Sequence, residues 1–285
     1  MSSNQYSAHS ALGQRIKHLD KMIGDSDVIV SSETGVRQNI KKVICAKLRG
    51  NKIVREINEW PLSVIWKESK IKQWIEIHVL PKLFDGFICI SDVLVEFCKK
   101  HGRRGVPIFK LPMTVDYDEV NRVALEYGEK YSIGDYVCYA GGLSEEKDGV
   151  ETLKVACRGF DLKILNGMAH EDVIRIMSRA RCLVLARPDS LQARAGFPTK
   201  LGEYLALGRP VIVTKVGEIP SYLQDGVSAY LVDPGDVAGF AEKIREVFVD
   251  PVSAEQIGKA GREVALRNFD YKVYAKELKD WIQSI

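Results

Sequence analysis

Several features that would mark simple protein classes are absent from this sequence. Among its 285 residues, no uninterrupted apolar run approaches the ~18 residues of a membrane span. The polar N-terminus, "MSSNQYSAHSALGQRIKHLDK", lacks the apolar segment of a secretory signal peptide, so we expect none there. No low-complexity stretch and no internal repeat is found. These absences favour a globular protein of the cytosol.

Charge of one sign and metal-type spacing are also missing. Lys plus Arg number 41 against 38 Asp plus Glu, so the formal net charge of +3 gives no reason to expect a nucleic-acid partner. The histidines show no metal-ligand spacing, so no metal site is predicted, and His170 is expected to be a surface residue at a helix start. The six scattered cysteines form no CxxC pair, which predicts reduced, buried thiols. They are Cys45, Cys89, Cys98, Cys138, Cys157 and Cys182.

Short β-branched runs alternate with helix-patterned stretches along the whole chain. This order predicts parallel sheets with crossover helices, and the length suggests about two domains. The strands are predicted at 27–32, 51–58, 86–91, 107–112, 135–141, 161–165, 182–186, 210–214 and 229–233. Helices are predicted at 36–49, 62–83, 92–101, 149–157, 170–180, 199–207, 236–249, 253–267 and 270–284. A seam is expected in the polar segment 111–135, between two doubly wound halves whose ligands bind at the carboxyl ends of strands.

One strand-to-helix corner, "GFPTKLGEYLALGRPVIVT", has the pattern of a phosphate site. Gly196 permits close approach of a ligand, and Pro198 fixes the backbone just before a helix that starts near Thr199. The amides at 199–201 then point out of a helix end that carries partial positive charge. Glu203 lies too deep to cap the helix and could accept hydrogen bonds from sugar hydroxyls. An ordinary helix start with a favourably placed glutamate is the alternative from composition alone.

A second corner, "YVCYAGGLSEEKDGV", lies in the same half. Gly141 and Gly142 follow a strand, and Lys147 comes just before the next helix. Paired glycines let this turn approach an anion, and a lysine inside it can neutralise the charge. Alone the pattern is a weak signal, since a surface lysine beside two glutamates is usually just solvated. Two such corners in one half describe a clamp for a diphosphate.

These two stretches, continued through "VGEIPSYLQDGVSAYLVDPGD", resemble the donor-binding domain of family 4 retaining glycosyltransferases of the GT-B fold. The match runs from about Asp135 to Phe269, and "DGFICISDVLVEFCKKHG" resembles part of the family's N-terminal domain. The resemblance implies two Rossmann-like domains, with residues 1–115 plus the closing helix 270–285 on the acceptor side and residues 116–269 binding the donor. It also implies transfer of a sugar from a nucleotide diphosphate to a hydroxyl with retention.

The resemblance assigns roles to individual residues. Glu203 matches the glutamate that holds the nucleotide ribose, and Lys147 matches the basic residue that neutralises the leaving diphosphate. The remaining matches are substrate-binding positions. They are Gly141, Gly142, Gly196, Phe197, Thr199, Lys200, Leu201, Gly217 and Glu218, with Arg187 or Lys200 as a replacement for an arginine that many members carry at position 142.

Three departures from the family pattern bear on activity. Ala195 stands where the family has another glutamate that contacts the donor sugar. The first convincing strand begins only at Asp27, so we expect an incomplete N-terminal domain with an unpaired sheet edge and half a cleft. Between Lys147 and Arg187 one strand-helix unit fewer is found, and its loss is expected to force strands in the middle of the sheet to re-pair.

The N-terminal half offers weaker candidates. Where the family places a histidine near the reacting sugar, this chain has Asn58 and Glu59; the asparagine cannot be a general base, whereas Glu59 could be one or could equally be a surface acid. Segment 61–83 sets Trp66 and Trp74 among lysines. It predicts either a helix packed on its own sheet or, less favoured, an interfacial helix resting on acidic lipid.

These patterns predict a retaining glycosyltransferase that acts in the cytosol, or at the inner face of the cell membrane, on glycan or lipid-linked acceptors. A nucleotide-diphosphate sugar is its expected substrate, and neither a cofactor nor a metal ion is expected. Two alternatives stay open at this point. The chain could be a shortened relative that binds nucleotide sugar without transferring it, or a GT-B sugar-nucleotide epimerase.

Overall fold

The computed structural model describes residues 28–285 except 33, 66 and 129–131, and these residues form two parallel β-sheets with helices around them. The first sheet has the strand order β1-β2-β3-β4 and the second the order β6-β5-β7-β8-β9. The strands of the two sheets are β1 Val28–Ser31, β2 Lys52–Ile57, β3 Gly86–Cys89, β4 Ile108–Lys110, β5 Tyr136–Ala140, β6 Asp161–Leu165, β7 Cys182–Leu185, β8 Val211–Thr214 and β9 Tyr230–Val232. All nine predicted strands are confirmed.

Most of the predicted helices are present as well. In chain order they are α1 Val36–Leu48, α2 Pro61–Val64, α3 Lys70–His78, α4 Asp92–His101, α5 Tyr117–Gly128, α6 Glu145–Asp148, α7 Val150–Ala156, α8 His170–Ser178, α9 Leu191–Ala195, α10 Thr199–Ala206, α11 Ile219–Tyr222, α12 Val237–Val249, α13 Pro251–Asn268 and α14 Tyr271–Gln283. The sequence misses α5, which occupies the expected polar connection, and α9, which lies in what reads as a long loop. It also misses the short helices α6 and α11.

The single helix predicted over 62–83 is wrong. The segment instead contains α2, α3 and a 3₁₀ turn at Leu80–Lys82. Pro61 starts α2, and Ser69 starts α3 by accepting a hydrogen bond from the Lys72 N–H. Apolar periodicity alone does not reveal these interruptions, because a new N-cap is a local polar event. Trp66 lies outside the described residues.

The chain divides into two compact units. The C-terminal unit comprises Met113–Ala193 and Pro198–Val273, and the N-terminal unit holds the described residues up to Pro112, together with Arg194–Phe197 and Tyr274–Ile285. Within the N-terminal unit, Leu278 and Ile282 of α14 are buried in one apolar cluster with residues of β2, β3 and β4. The end of the chain therefore contributes to the core of the N-terminal sheet.

Strand order in the C-terminal unit corrects one expectation. β5 pairs directly with β7, and β6 lies on the other side of β5, at an edge of the described sheet. The segment between β5 and β7 thus supplies an edge strand. A strand-helix unit missing from this segment would shorten an edge, so no re-pairing in the middle of the sheet is needed.

The strands of the C-terminal sheet are largely buried. Every residue of β5, β7, β8 and β9 is buried, as expected for parallel strands covered on both faces. Five of the six cysteines are buried, while Cys45 is exposed, which departs from the prediction for that residue. Among the described residues, no helix is both long enough and apolar enough to cross a bilayer.

Candidate functional site

The candidate site lies at the carboxyl ends of β5, β7 and β8, which share one edge of the C-terminal sheet. At the end of β5 the chain turns at Gly141, whose φ of +150° lies in a region that favours glycine. Ser144 then caps α6, its hydroxyl accepting a hydrogen bond from the Lys147 N–H at 3.2 Å. The corner therefore places Lys147 on the first turn of a helix that follows the β5 end.

The second corner has the geometry that the sequence predicts, with one difference. Pro198, at φ −72°, precedes the first residue of α10, Thr199. The Leu201 N–H donates to the Pro198 carbonyl oxygen at 3.0 Å, so the prediction of three outward amides is wrong at Leu201. The N–H groups of Thr199 and Lys200 precede the first intrahelical bond and are the ones oriented to receive an anion.

The Lys200 side chain joins the two corners. Its Nζ lies 2.8 Å from Asp148 Oδ1 and 2.8 Å from the Tyr139 hydroxyl oxygen, and the Tyr139 hydroxyl donates to the Gly142 carbonyl at 2.7 Å. A Cβ atom on Gly141 would lie 2.3 Å from Lys200 Nζ. Glycine at 141 therefore leaves the space that the lysine occupies, and the two corners meet on one face of the C-terminal unit.

Tyr204 links α10 to the end of β5 through its hydroxyl. Its hydroxyl accepts from the Ala140 N–H at 2.7 Å and donates to the Ala140 carbonyl at 3.1 Å. The register of β5 with β7 covers only Val137 and Cys138, so the phenol satisfies backbone groups of β5 beyond that pairing. Both hydrogen bonds are buried, and they hold α10 against the end of β5.

We expect Tyr204→Phe to lower the free energy of unfolding by about 1–3 kcal/mol, because two buried backbone groups lose their partner. Thermal and urea unfolding of both proteins, followed by circular dichroism, measure the difference. Tyr127→Phe, in α5, is the matched control. Equal stability of the Tyr204→Phe variant and the unsubstituted protein would show that the Tyr204 hydroxyl does not hold α10 against β5.

Several cationic side chains lie near the junction of the two corners. Lys200, with only 17% of its side chain exposed, pairs with Asp148. Burial lowers the pKa of Lys200, Asp148 opposes this, and the fields of Arg187 and Lys147 lower the pKa further. The cations Lys200, Lys147 and Arg187 thus lie close to one another and to the carboxylate of Asp148. Such a cluster favours a multiply charged anion.

Glu203 faces a partner that the sequence does not predict. Its Oε1 lies 3.0 Å from Nε2 of His170, the first residue of α8. His170 is half exposed, as expected for a surface residue. It is also hydrogen-bonded to Glu203, the residue predicted to bind the ribose. That hydrogen bond raises the pKa of His170, burial lowers it, and the charges of Glu203, Glu119 and Glu171 raise it further.

The other predicted positions of the C-terminal unit lie on neighbouring strand ends. Arg187 follows β7 and is 2% exposed, and its main-chain carbonyl accepts from the Thr214 hydroxyl at 2.8 Å. Gly217, at φ +59°, and Glu218 follow β8 and lead into α11. The positive charge of Arg187 is near enough to lower the pKa of Lys200.

Four predicted residues belong to the N-terminal unit. Gly196 and Phe197 lie in the segment Arg194–Phe197, in which the Ala195 carbonyl accepts a hydrogen bond from the Ser91 hydroxyl. Asn58 and Glu59 follow β2, and Asn58 Nδ2 donates to Glu56 Oε1 at 2.8 Å. Burial raises the pKa of Glu56, a strand residue that the sequence does not single out.

Some contributors to the site carry no sequence signal of their own. Tyr139 and Tyr204 are aromatic residues in apolar runs and are indistinguishable there from ordinary core residues. Asp148 lies beside Lys147 in "EEKDG", where the charges are those of a solvated turn. In the described part of the chain, no three His, Cys, Asp or Glu side chains form a group that could hold a metal ion.

The stretch of chain that contains these residues is similar to known proteins. Residues 129–264 match the family model for glycosyl transferases group 1. Among curated proteins, a trehalose phosphorylase of Grifola frondosa is 40% identical over 60 residues, covering 21% of this chain and 8% of that protein. An alpha-maltose-1-phosphate synthase of Mycobacterium tuberculosis is 32% identical over 84 residues, covering 27% of this chain and 22% of the relative. The matched stretches therefore span less than a quarter of these relatives.

Solved structures show the fold over nearly the whole chain. Sucrose-phosphate synthase from Thermosynechococcus elongatus superposes with a TM-score of 0.70 at 14% identity, covering 98% of this chain and 79% of its own. The Anabaena protein HepE, solved in complex with UDP-glucose, gives a TM-score of 0.70 at 15% identity, covering 96% and 84%. The fold class is α/β of the GT-B type.

Proposed function

We propose that this protein is a retaining glycosyltransferase that moves a sugar from a nucleoside diphosphate to a hydroxyl of a glycan or a lipid-linked acceptor. The observation that carries the proposal is the grouping of Lys200 with Lys147 and Arg187 around Asp148, beside the outward amides of Thr199 and Lys200. Two phosphate groups carry the charge that such a cluster would balance. The ammonium of Lys200 uses two of its three N–H donors within the protein and has the third for a ligand.

The chemistry follows from where charge develops. The bond between the anomeric carbon and the diphosphate oxygen breaks, a bond to the acceptor oxygen forms, and the acceptor proton leaves with the diphosphate. Negative charge therefore grows on the leaving group in the transition state. Lys147, whose charge reaches Lys200, and the start of α10 would then stabilise that state more than the ground state.

Glu203 provides the matching contact for the nucleoside. It lies on the second turn of α10, and 29% of its side chain is exposed, enough for one carboxylate oxygen to accept from ribose hydroxyls. UDP-glucose in the HepE structure and the sugar-phosphate synthases among the relatives support a nucleotide-sugar donor. Glu203 and Lys200 both lie on α10, so the carboxylate and the cationic cluster belong to the same unit.

The acceptor side is proposed on the N-terminal unit. Ile71 is 72% exposed and Trp74 is 57% exposed, and both lie on α3 with Lys70 and Lys72. An exposed apolar stripe flanked by lysines has the composition of a helix that rests on an anionic lipid surface. This supports a peripheral contact with the cell membrane and a lipid-linked acceptor.

A panel of UDP- and GDP-sugars tests the proposal, with nucleotide release and the sugar product both measured. We expect release of the nucleoside diphosphate from at least one donor. Tight binding without release would instead favour a non-catalytic relative, and an altered sugar on an intact nucleotide would favour an epimerase. Absence of binding to every nucleotide sugar would overturn the proposed site.

Substitution of Glu203 by alanine is expected to weaken UDP binding by about tenfold, because a carboxylate that accepts from ribose hydroxyls contributes roughly 1.5 kcal/mol. Isothermal titration calorimetry with UDP measures the change. Glu242→Ala, on the exposed side of α12, is the matched control and should leave the affinity unchanged. An unaltered dissociation constant in the Glu203→Ala variant would refute the ribose role.

A further inference from the structure

His170 is the side chain of the site that the proposed mechanism does not use. Its Nε2 lies 3.0 Å from Glu203 Oε1, and no sequence pattern places these two residues together, since they are 33 positions apart. α8 packs against both β5 and α5, and α10 also packs against α5. The contact therefore joins the start of α8 to the second turn of α10 within the C-terminal unit.

The hydrogen bond restricts how Glu203 can act. One carboxylate oxygen is engaged by the imidazole, so the other is the one directed to a ligand. In the neutral ring, Nε2–H donates to Glu203 and Nδ1 is an acceptor; in the charged ring, both nitrogens donate. Protonation of His170 thus adds a donor and a positive charge beside the carboxylate without breaking the contact.

The charges around His170 decide the sign of that effect. Glu203 approaches from α10, Glu119 from α5 and Glu171 from its own helix. Two cations lie on this side: Arg122 of α5 is 3.7 Å from Glu171, and Arg175 of α8 is 4.0 Å from it. Carboxylates outnumber cations here when the ring is neutral, which opposes the binding of an anionic nucleotide. A charged ring offsets this.

We propose that His170 is a positioning residue for Glu203 and that its protonation strengthens the binding of a nucleoside diphosphate. The inference rests on the proposed function, because it takes the ribose to lie at Glu203. Its consequence is a nucleotide affinity that decreases as pH rises through the titration of His170. By linkage, a bound nucleotide also favours the charged ring.

Variants of His170 separate positioning from titration. His170→Gln keeps an N–H donor near the position of Nε2 but does not titrate, whereas His170→Ala removes both. We expect UDP affinity at pH 6.5 to fall about three- to tenfold in His170→Ala, because the variant loses one partly charged hydrogen bond. His170→Gln is expected to match the unsubstituted protein at pH 8.5 and to lack its gain in affinity at pH 6.5.

Calorimetry with UDP between pH 6 and 8.5 gives these affinities, and parallel titrations with uridine separate the contribution of the phosphates. The imidazole resonance that disappears in His170→Gln reports the titration directly by NMR, and it is expected to titrate at lower pH in Glu203→Gln. A pH profile of His170→Gln that overlays that of the unsubstituted protein would overturn the inference.

The same series distinguishes this failure from failure of the proposed function. If Glu203→Ala weakens UDP binding while both His170 variants behave like the unsubstituted protein across the pH range, the inference about His170 is wrong and the ribose role stands. If UDP does not bind, or binds equally to Glu203→Ala, the proposed function itself fails. Circular dichroism melting curves of each variant confirm that the compared proteins are folded.

Discussion

Lys147→Ala should lower the rate of sugar transfer by about 10²–10³-fold, the usual effect of removing one preorganised group that stabilises developing charge. Lys147 lies on the first turn after the Gly141 corner, close enough to the Lys200 ammonium to lower its pKa. The ground-state diphosphate retains Lys200 and the α10 amides. We therefore expect the dissociation constant for UDP to rise by less than the rate falls.

Rates measured at saturating donor, together with equilibrium binding of UDP, separate the two effects. Lys154→Ala is a suitable control, because Lys154 is an exposed lysine of α7 that pairs with Glu151. A Lys147→Ala variant that transfers sugar at the original rate would remove Lys147 from the catalytic groups. Equal losses in rate and affinity would assign it to uniform binding of the donor.

Lys200→Met should weaken UDP binding by about 10- to 100-fold and leave uridine binding nearly unchanged. The substitution removes the ammonium that joins Asp148, Tyr139 and the Gly141 corner. A charge-assisted contact to phosphate contributes about 1.5–3 kcal/mol. Uridine has no phosphate, so its binding does not depend on this contact. Calorimetric titration with both ligands gives the comparison.

Removal of Lys200 also leaves the buried carboxylate of Asp148 without its cation, which could reduce stability. The double variant Lys200→Met with Asp148→Asn removes both charges and keeps the shape, so it serves as the folded reference. Lys215→Met, which breaks an exposed pair with Asp233, is the matched surface control. If the double variant binds UDP as tightly as the unsubstituted protein, the cationic cluster is not the diphosphate site.

The sequence predicts the strands better than the helices, and the reason is physical. Most strands contain a short apolar run, and β3, β5, β7, β8 and β9 are buried along their whole length, as expected for parallel strands covered on both faces. The error over 62–83 arises where Ser69 caps a new helix within an unbroken amphipathic pattern. The helix α5 is missed because its charged first turn resembles a connecting segment.

For the site, sequence reasoning finds the residues whose backbone is special and misses those defined by contact. Gly141 and Pro198 mark the two corners, since glycine and proline have local conformational meaning. The bridge from Lys200 to Asp148 spans 52 positions, and the contact between His170 and Glu203 spans 33. Such pairs follow from strand order, and strand order is set by packing of the whole sheet.

The central claim is that the corners after β5 and before α10 bind one diphosphate while Glu203 binds the attached ribose. A crystal structure of the protein with UDP tests it most directly. The account predicts phosphate oxygens within hydrogen-bond distance of the Thr199 and Lys200 N–H groups and of the Lys147 ammonium, with a ribose hydroxyl on Glu203. UDP seated on another face of the C-terminal unit, or with its ribose away from Glu203, would contradict it.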